Sequence, residues 1–198
     1  MQGDIWAVNP STSATFYRAA ATITGAGDVT LTTTDAGPNG VGYKIIITSA
    51  GDDTGITFTI TGTKVGDLTG HAPTVEVLTG VSAAAVTSTN YWASDISIVA
   101  SGASAGTVSI GTTGDVALAR TRVKGFYVVS GATAGSLKVN INGLTTGNNT
   151  VFDVSTPAGA TLVQDLQLPG NGILTARQNN DYAVVVPTNL TDYTLFCG

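Results

Sequence analysis

Two nearly identical stretches, Ser101-Gly102-Ala103-Ser104-Ala105-Gly106-Thr107-Val108 and Ser130-Gly131-Ala132-Thr133-Ala134-Gly135-Ser136-Leu137, lie 29 residues apart, each between short runs of alternating apolar residues. Ile96-Ser97-Ile98-Val99 and Val108-Ser109-Ile110 bracket the first; Phe126-Tyr127-Val128-Val129 and Leu137-Lys138-Val139-Asn140-Ile141 bracket the second. Only an extended strand puts every second side chain on one face, so each stretch predicts a strand, a small-residue loop and a second strand closing a hairpin. A chain patterned this way builds sheets, and its function is to be sought in surfaces.

The same pattern recurs along the chain. Ile56-Thr57-Phe58-Thr59-Ile60-Thr61 alternates without a fault. It therefore predicts a half-buried antiparallel strand with Ile56, Phe58 and Ile60 inward. Tyr43-Lys44-Ile45-Ile46-Ile47 is more continuously apolar, as a central strand is. Other strands are expected at 22–24, 29–33, 74–78, 95–99 and 107–110, and then at 122–129, 136–141, 150–154, 161–168, 172–175, 182–187 and 193–197. Ala83-Ala84-Ala85 predicts a single helical turn ahead of Tyr91-Trp92, whose rings anchor a core. Many short strands at this spacing predict an all-β fold of two tandem β-sandwich domains. The first is Ig-like over 21–116, the second a small sandwich or jelly-roll-like unit over 117–198, and 1–20 is an N-terminal arm or first strand. Charge supports the boundary: residues 1–116 carry nine acids and three bases, whereas 117–198 carry four acids and five bases.

Charged residues make up 11% of the chain, against about 25% in ordinary soluble domains. The surface falls to 33 Thr, 25 Gly, and the Ser and Asn residues, with a single Glu. Such a surface repels its own kind weakly, which favours assembly, including a homo-oligomer. A net charge of −5 speaks against nucleic acid as a partner. No apolar run of about 18 residues predicts a membrane helix, and Met1-Gln2-Gly3-Asp4 lacks the features of a secretory leader. The expectation is synthesis in the cytoplasm with no membrane partner. The lone Cys197 excludes an intrachain disulfide and suits a reducing compartment.

Catalytic chemistry finds little support. A hydrolytic triad needs a histidine between a nucleophile and an acid; the one histidine, His71, sits in Gly70-His71-Ala72-Pro73 with no nucleophile elbow elsewhere. One His and one distant Cys cannot fill a zinc site. Asp52-Asp53, the only adjacent carboxylate pair, lies in Ala50-Gly51-Asp52-Asp53-Thr54-Gly55 and reads as a hairpin turn by local hydrogen bonding. Calcium is its functional alternative, but the spaced acidic series of a calcium loop is missing. No catalytic residue, cofactor or metal is therefore expected. Interface candidates remain: Arg120, Arg122 and Lys124, alternating on one side of a strand, read either as a solvated edge or as a contact with an acidic neighbour. Ile5, Trp6 and Val8 are the sizeable apolar residues of the opening segment.

Taken in order, Gly55-Ile56-Thr57-Phe58-Thr59-Ile60-Thr61-Gly62-Thr63, Thr79-Gly80, Thr89-Asn90-Tyr91-Trp92 and Ser101-Gly102-Ala103-Ser104-Ala105-Gly106-Thr107-Val108 resemble small β-rich virion structural proteins of tailed bacteriophages. The resemblance covers about residues 40–111. The Lys64 to Pro73 loop is longer and less polar than that pattern. What it implies is a non-enzymatic virion protein that contacts other virion proteins, either the major capsid protein or tail and neck proteins. Capsid decoration or cement, for which the resemblance implies a trimer or a monomer on the head lattice, is the leading expectation, and a tail, neck adaptor or fibre component the alternative. A carbohydrate-binding adhesin module is the rival from another class, with Trp6 and Trp92 as candidate binding rings and Trp92 reading as core.

Overall fold

The computed structural model describes residues 6–8, 12–36, 41–67, 72–119, 122–141, 150–165, 173–174 and 182–197. Its strands are β1 (Trp6–Val8), β2 (Ser13–Thr22), β3 (Gly27–Asp28), β4 (Val41–Ser49), β5 (Thr57–Lys64), β6 (Thr74–Thr79), β7 (Ala85–Ala100) and β8 (Thr107–Leu118), followed by β9 (Arg122–Ser130), β10 (Gly135–Ile141), β11 (Thr150–Thr156), β12 (Thr161–Asp165), β13 (Ile173–Leu174), β14 (Ala183–Thr188) and β15 (Leu190–Cys197). The described residues contain no helix, and the strand pairings whose registers are resolved are antiparallel. The protein is all-β. It divides into an N-terminal unit, residues 11–115, and a C-terminal unit made of 1–10 and 116–198.

In the N-terminal unit the strand order is β8-β4-β7-β5-β6, with β2 on β8 and β3 on β7. The 16-residue β7 organises it. Its first half pairs with β4, from Thr48↔Ala85 to Tyr43↔Trp92, and its second half with β5, from Lys64↔Trp92 to Phe58↔Ala100. Between the halves Asp95 has φ 54°, and the β5 register shifts twice, around Thr63. Extra residues of this kind bend and twist a strand. The bend lets strands at opposite ends of the sheet order share one core: Ile45, Ile47 and Ile110 meet Phe58, Ile60 and Leu78 around Trp92. Phe58 and Ile60 are fully buried, as the alternation of 56–61 predicts, each worth about 1.5–3 kcal/mol in removed apolar surface. The character is sandwich-like.

The C-terminal unit contains one sheet ordered β1-β15-β9-β12, with β13 on β9, and a second set ordered β11-β10-β14. Residues Val116–Leu118 at the end of β8 pair with β14. Phe126 of β9 and Phe152 of β11 pack with ring centroids 5.1 Å apart, and their register partners, Leu195 opposite Phe126 and Val139 opposite Phe152, are buried as well.

Three expectations are corrected here. Neither near-identical loop closes a hairpin, because β4 lies between β7 and β8, while β9 and β10 belong to different sheets. The Asp52-Asp53 segment closes none either, since β7 separates β4 from β5. Among the described strands the consecutive pairs that do form hairpins are β5–β6 and β10–β11. Alternation specifies which face of a strand is buried but leaves its partner open. The helical turn at Ala83–Ala85 is likewise absent. Ala83 has φ 45°, its N–H donates to the Gly51 carbonyl at 2.8 Å, and the Ala84 carbonyl accepts from Ser49 N–H at 2.9 Å, so neighbouring strands hold the groups that a helix would use.

Candidate functional site

The repeated Ser-Gly-Ala motif has the same local role in both units. Ser101 N–H donates to the Thr57 carbonyl at 2.9 Å, and Thr57 N–H donates to Ser101 Oγ at 2.8 Å. Ser130 N–H donates to the Ala160 carbonyl at 2.9 Å, and Ala160 N–H donates back to Ser130 Oγ at 2.9 Å. Each serine thus clasps the end of one strand to the start of its antiparallel neighbour, β7 to β5 and β9 to β12, before the chain crosses to the next sheet position. The small residues that follow allow backbone to meet backbone. A Cβ at Gly106 would lie 2.7 Å from Gly51 N, and one at Gly135 would lie 2.6 Å from Leu190 Cδ2.

Asp53 joins three loops of the N-terminal unit. Its Oδ1 accepts from Ala105 N–H at 2.7 Å, its N–H donates to the Val81 carbonyl at 3.2 Å, and a Cβ at Gly80 would strike its carbonyl oxygen at 2.2 Å. The side chain is buried. Asp52 is exposed and makes the local turn, accepting from Thr54 N–H at 3.3 Å and Thr54 Oγ1 at 2.8 Å; these bonds hold its carboxyl below the ordinary aspartate range. The two adjacent carboxylates therefore have separate structural partners, and no group of three metal-ligating side chains occurs among the described residues.

Glu76 on β6 accepts four hydrogen bonds from two neighbouring residues of β7. Its carboxylate accepts from Thr89 N–H (2.7 Å), Thr89 Oγ1 (2.8 Å), Asn90 N–H (3.2 Å) and Asn90 Nδ2 (2.8 Å). Burial pushes its acidity toward the neutral form, yet the four hydrogen bonds outweigh that and hold the carboxyl below its ordinary range. The contact ties the end strand of the sheet to β7.

The outward face of β6, β5 and the second half of β7 is nearly uncharged. Registers set Val77 beside Thr59 and Thr59 beside Val99, and Val75 beside Thr61 and Thr61 beside Ser97. Val75 and Val77 are 59% and 58% exposed. At the margin Asp95 accepts from Thr63 Oγ1 at 3.3 Å and Ser94 Oγ at 2.9 Å. An open cavity of ≈ 320 Å³ lies elsewhere in the unit, beside Arg18, Thr24 and Asp28. The Arg18 guanidinium is already occupied by the carbonyls of Ala21, Val108 and Thr22 at 2.8, 2.5 and 3.3 Å, so it braces the end of β2.

The residues singled out from sequence disperse. Ile5, His71 and Arg120 lie outside the described residues. Trp6 and Val8 fall in β1, opposite Cys197 and Leu195 of β15. Arg122 is exposed and Lys124 half-buried on β9, which has β15 on one side and β12 and β13 on the other, so they do not guard a sheet edge. Lys124 is the extra residue where the β15 register steps from Phe196↔Gly125 to Cys197↔Val123. Trp92 is fully buried, which removes it as a stacking platform for sugars. Sequence reasoning missed Glu76, although its being the only glutamate in the chain was a visible signal. Compared with family models, with curated proteins and with solved structures, the chain matches none.

Proposed function

We propose that this chain is a non-enzymatic structural protein of a bacteriophage virion, a capsid decoration or cement protein that stabilises the head through protein–protein contacts. The observation that carries the reading is the uncharged Val, Thr and Ser face of β5, β6 and β7, which loses little hydration energy on being covered. Two further points support it. The sequence resemblance over residues 40–111 points the same way, and the conspicuous carboxylates Asp52, Asp53 and Glu76 hold loops and strands together. The finer architecture belongs to the same proposal, with the N-terminal unit an Ig-like sandwich and the C-terminal unit a small sandwich or jelly roll.

The test is to locate the chain in intact particles by electron microscopy with an antibody against it. Density at regular positions on the head lattice is the expected result. Density along the tail axis would replace decoration with a tail, neck or fibre role, and a chain absent from particles would end the virion reading.

A further inference from the structure

We propose that β6 is the edge through which two copies of this chain join, strand to strand and antiparallel, about a two-fold axis. The backbone register identifies the groups involved. Gly80 N–H donates to the Ile56 carbonyl at 2.9 Å in the register that sets Thr57 opposite Thr79 and Phe58 opposite Leu78. In an antiparallel ladder, residues with both backbone groups turned to the neighbour alternate with residues that have both turned away. Thr74, Glu76, Leu78 and Gly80 therefore face β5, while Val75, Val77 and Thr79 present N–H and C=O outward along a strand that, among the described residues, pairs on one side only. The chemistry they fit is another β-strand.

Sheet edges normally carry devices against such pairing: bulges, lysine, proline or brevity. Most of the other edges among the described strands have them. β2 has two register shifts, β1 and β3 have three and two residues, and β11 has a register shift and the Lys138–Asp153 ion pair at 3.3 Å. β12 is regular but ends in an acid, Asp165, and shows a single strongly exposed valine, Val163. β6 is regular over six residues and contains no proline or lysine. Its one charge, Glu76, points inward, a placement that defends an edge when the charge has to reach water past it; here four hydrogen bonds from Thr89 and Asn90 satisfy the carboxylate within the chain, which weakens that defence.

A second copy is the occupant because the strand matches itself. Val75-Glu76-Val77 reads the same in both directions. An antiparallel copy centred on Glu76 sets Val75 of one chain opposite Val77 of the other, and the reverse, gathering four valines on one outer face. It also sets the two Glu76 residues opposite each other, a like-charge pair that works against the seam and is tempered because Thr89 and Asn90 of its own chain hold each carboxylate. A two-fold contact requires this self-complementarity. The pairing rests on the reading of the chain as an assembling protein and gives that reading a specific seam.

The experiment uses the full chain in solution, with hydrogen exchange and sedimentation read across a range of concentrations. In dilute protein the amides of Glu76 and Leu78 should be protected and those of Val75 and Val77 should exchange freely; in concentrated protein Val75 and Val77 should gain protection as a dimer appears. Val77→Lys should weaken dimerisation at least about tenfold, about 1.4 kcal/mol, while Val163→Lys on β12 leaves it unchanged. A chain that stays monomeric, exchange at Val75 and Val77 that ignores concentration, or a dimer that Val77→Lys leaves intact would overturn the proposal. If Val75 and Val77 become protected only when the chain is added to particles, the seam belongs to another virion protein: the second-copy proposal fails while the assembly reading stands.

Discussion

Single serines and one glutamate do much of the joining in this molecule, and their contributions are measurable. Ser130→Ala removes the oxygen that accepts from Ala160 N–H and also loses its own bond to the Pro157 carbonyl. Chemical unfolding should show a loss of about 1–2 kcal/mol. Ser101→Ala, whose bond to Thr57 lies in exposed surroundings, should lose less, and a larger loss there would break the parallel between the two loops. Glu76 makes stability depend on pH. Its folded-state carboxyl sits below its ordinary value of about 4.3, so its stabilisation is fully present above that value and disappears as pH falls through the lower folded value. Unfolding free energies measured from neutral pH down to pH values below about 4 should therefore fall less steeply in Glu76→Gln than in wild type. An unchanged slope would remove the carboxylate from the acid response.

At the scale of elements, β1 covers the outer edge of β15, with Trp6 opposite Cys197. The cysteine is fully buried, and burial pushes its thiol up to about 12, so at neutral pH it is protonated and shielded. Native protein should resist thiol reagents, and deleting residues 1–10 should speed labelling of Cys197 severalfold by uncovering the β15 edge. Equal labelling rates would show that β1 does not protect it. How far such elements were legible depended on side-chain pattern. β5 was plain because Phe58 and Ile60 alternate with threonine. β2 was hidden, since in Ser-Ala-Thr-Phe-Tyr-Arg-Ala-Ala-Ala-Thr Tyr17 is the one buried residue. The first half of β7 was hidden for the same reason, its Ala, Ser, Thr and Asn residues giving no apolar period. Asp53 looked like a local turn residue because its partner Ala105 stands 52 positions away, a separation on which sequence pattern is silent.

Across the whole molecule, pairing is dominated by strands distant in sequence: Thr22 with Thr107, Asp28 with Val99, Ser130 with Leu190. Such contacts form only after long loops close, so refolding after rapid dilution from denaturant should proceed in milliseconds to seconds. Completion within microseconds would contradict this topology. The two serine-led loops also bear on engineering. Runs such as Ser-Gly-Ala-Ser-Ala-Gly look like flexible linkers, the natural place to graft a peptide for display. In this chain the first is a corner where main chain lies directly on main chain, a Cβ at Gly106 meeting Gly51 N at 2.7 Å, and the second packs Gly135 against the Leu190 side chain. A graft there would pry apart the strands that the serines hold, and the turn around Gly159 is no refuge, since Gly159 N–H donates to the Gly131 carbonyl at 2.8 Å and Ser130 holds Pro157 and Ala160 on either side of it.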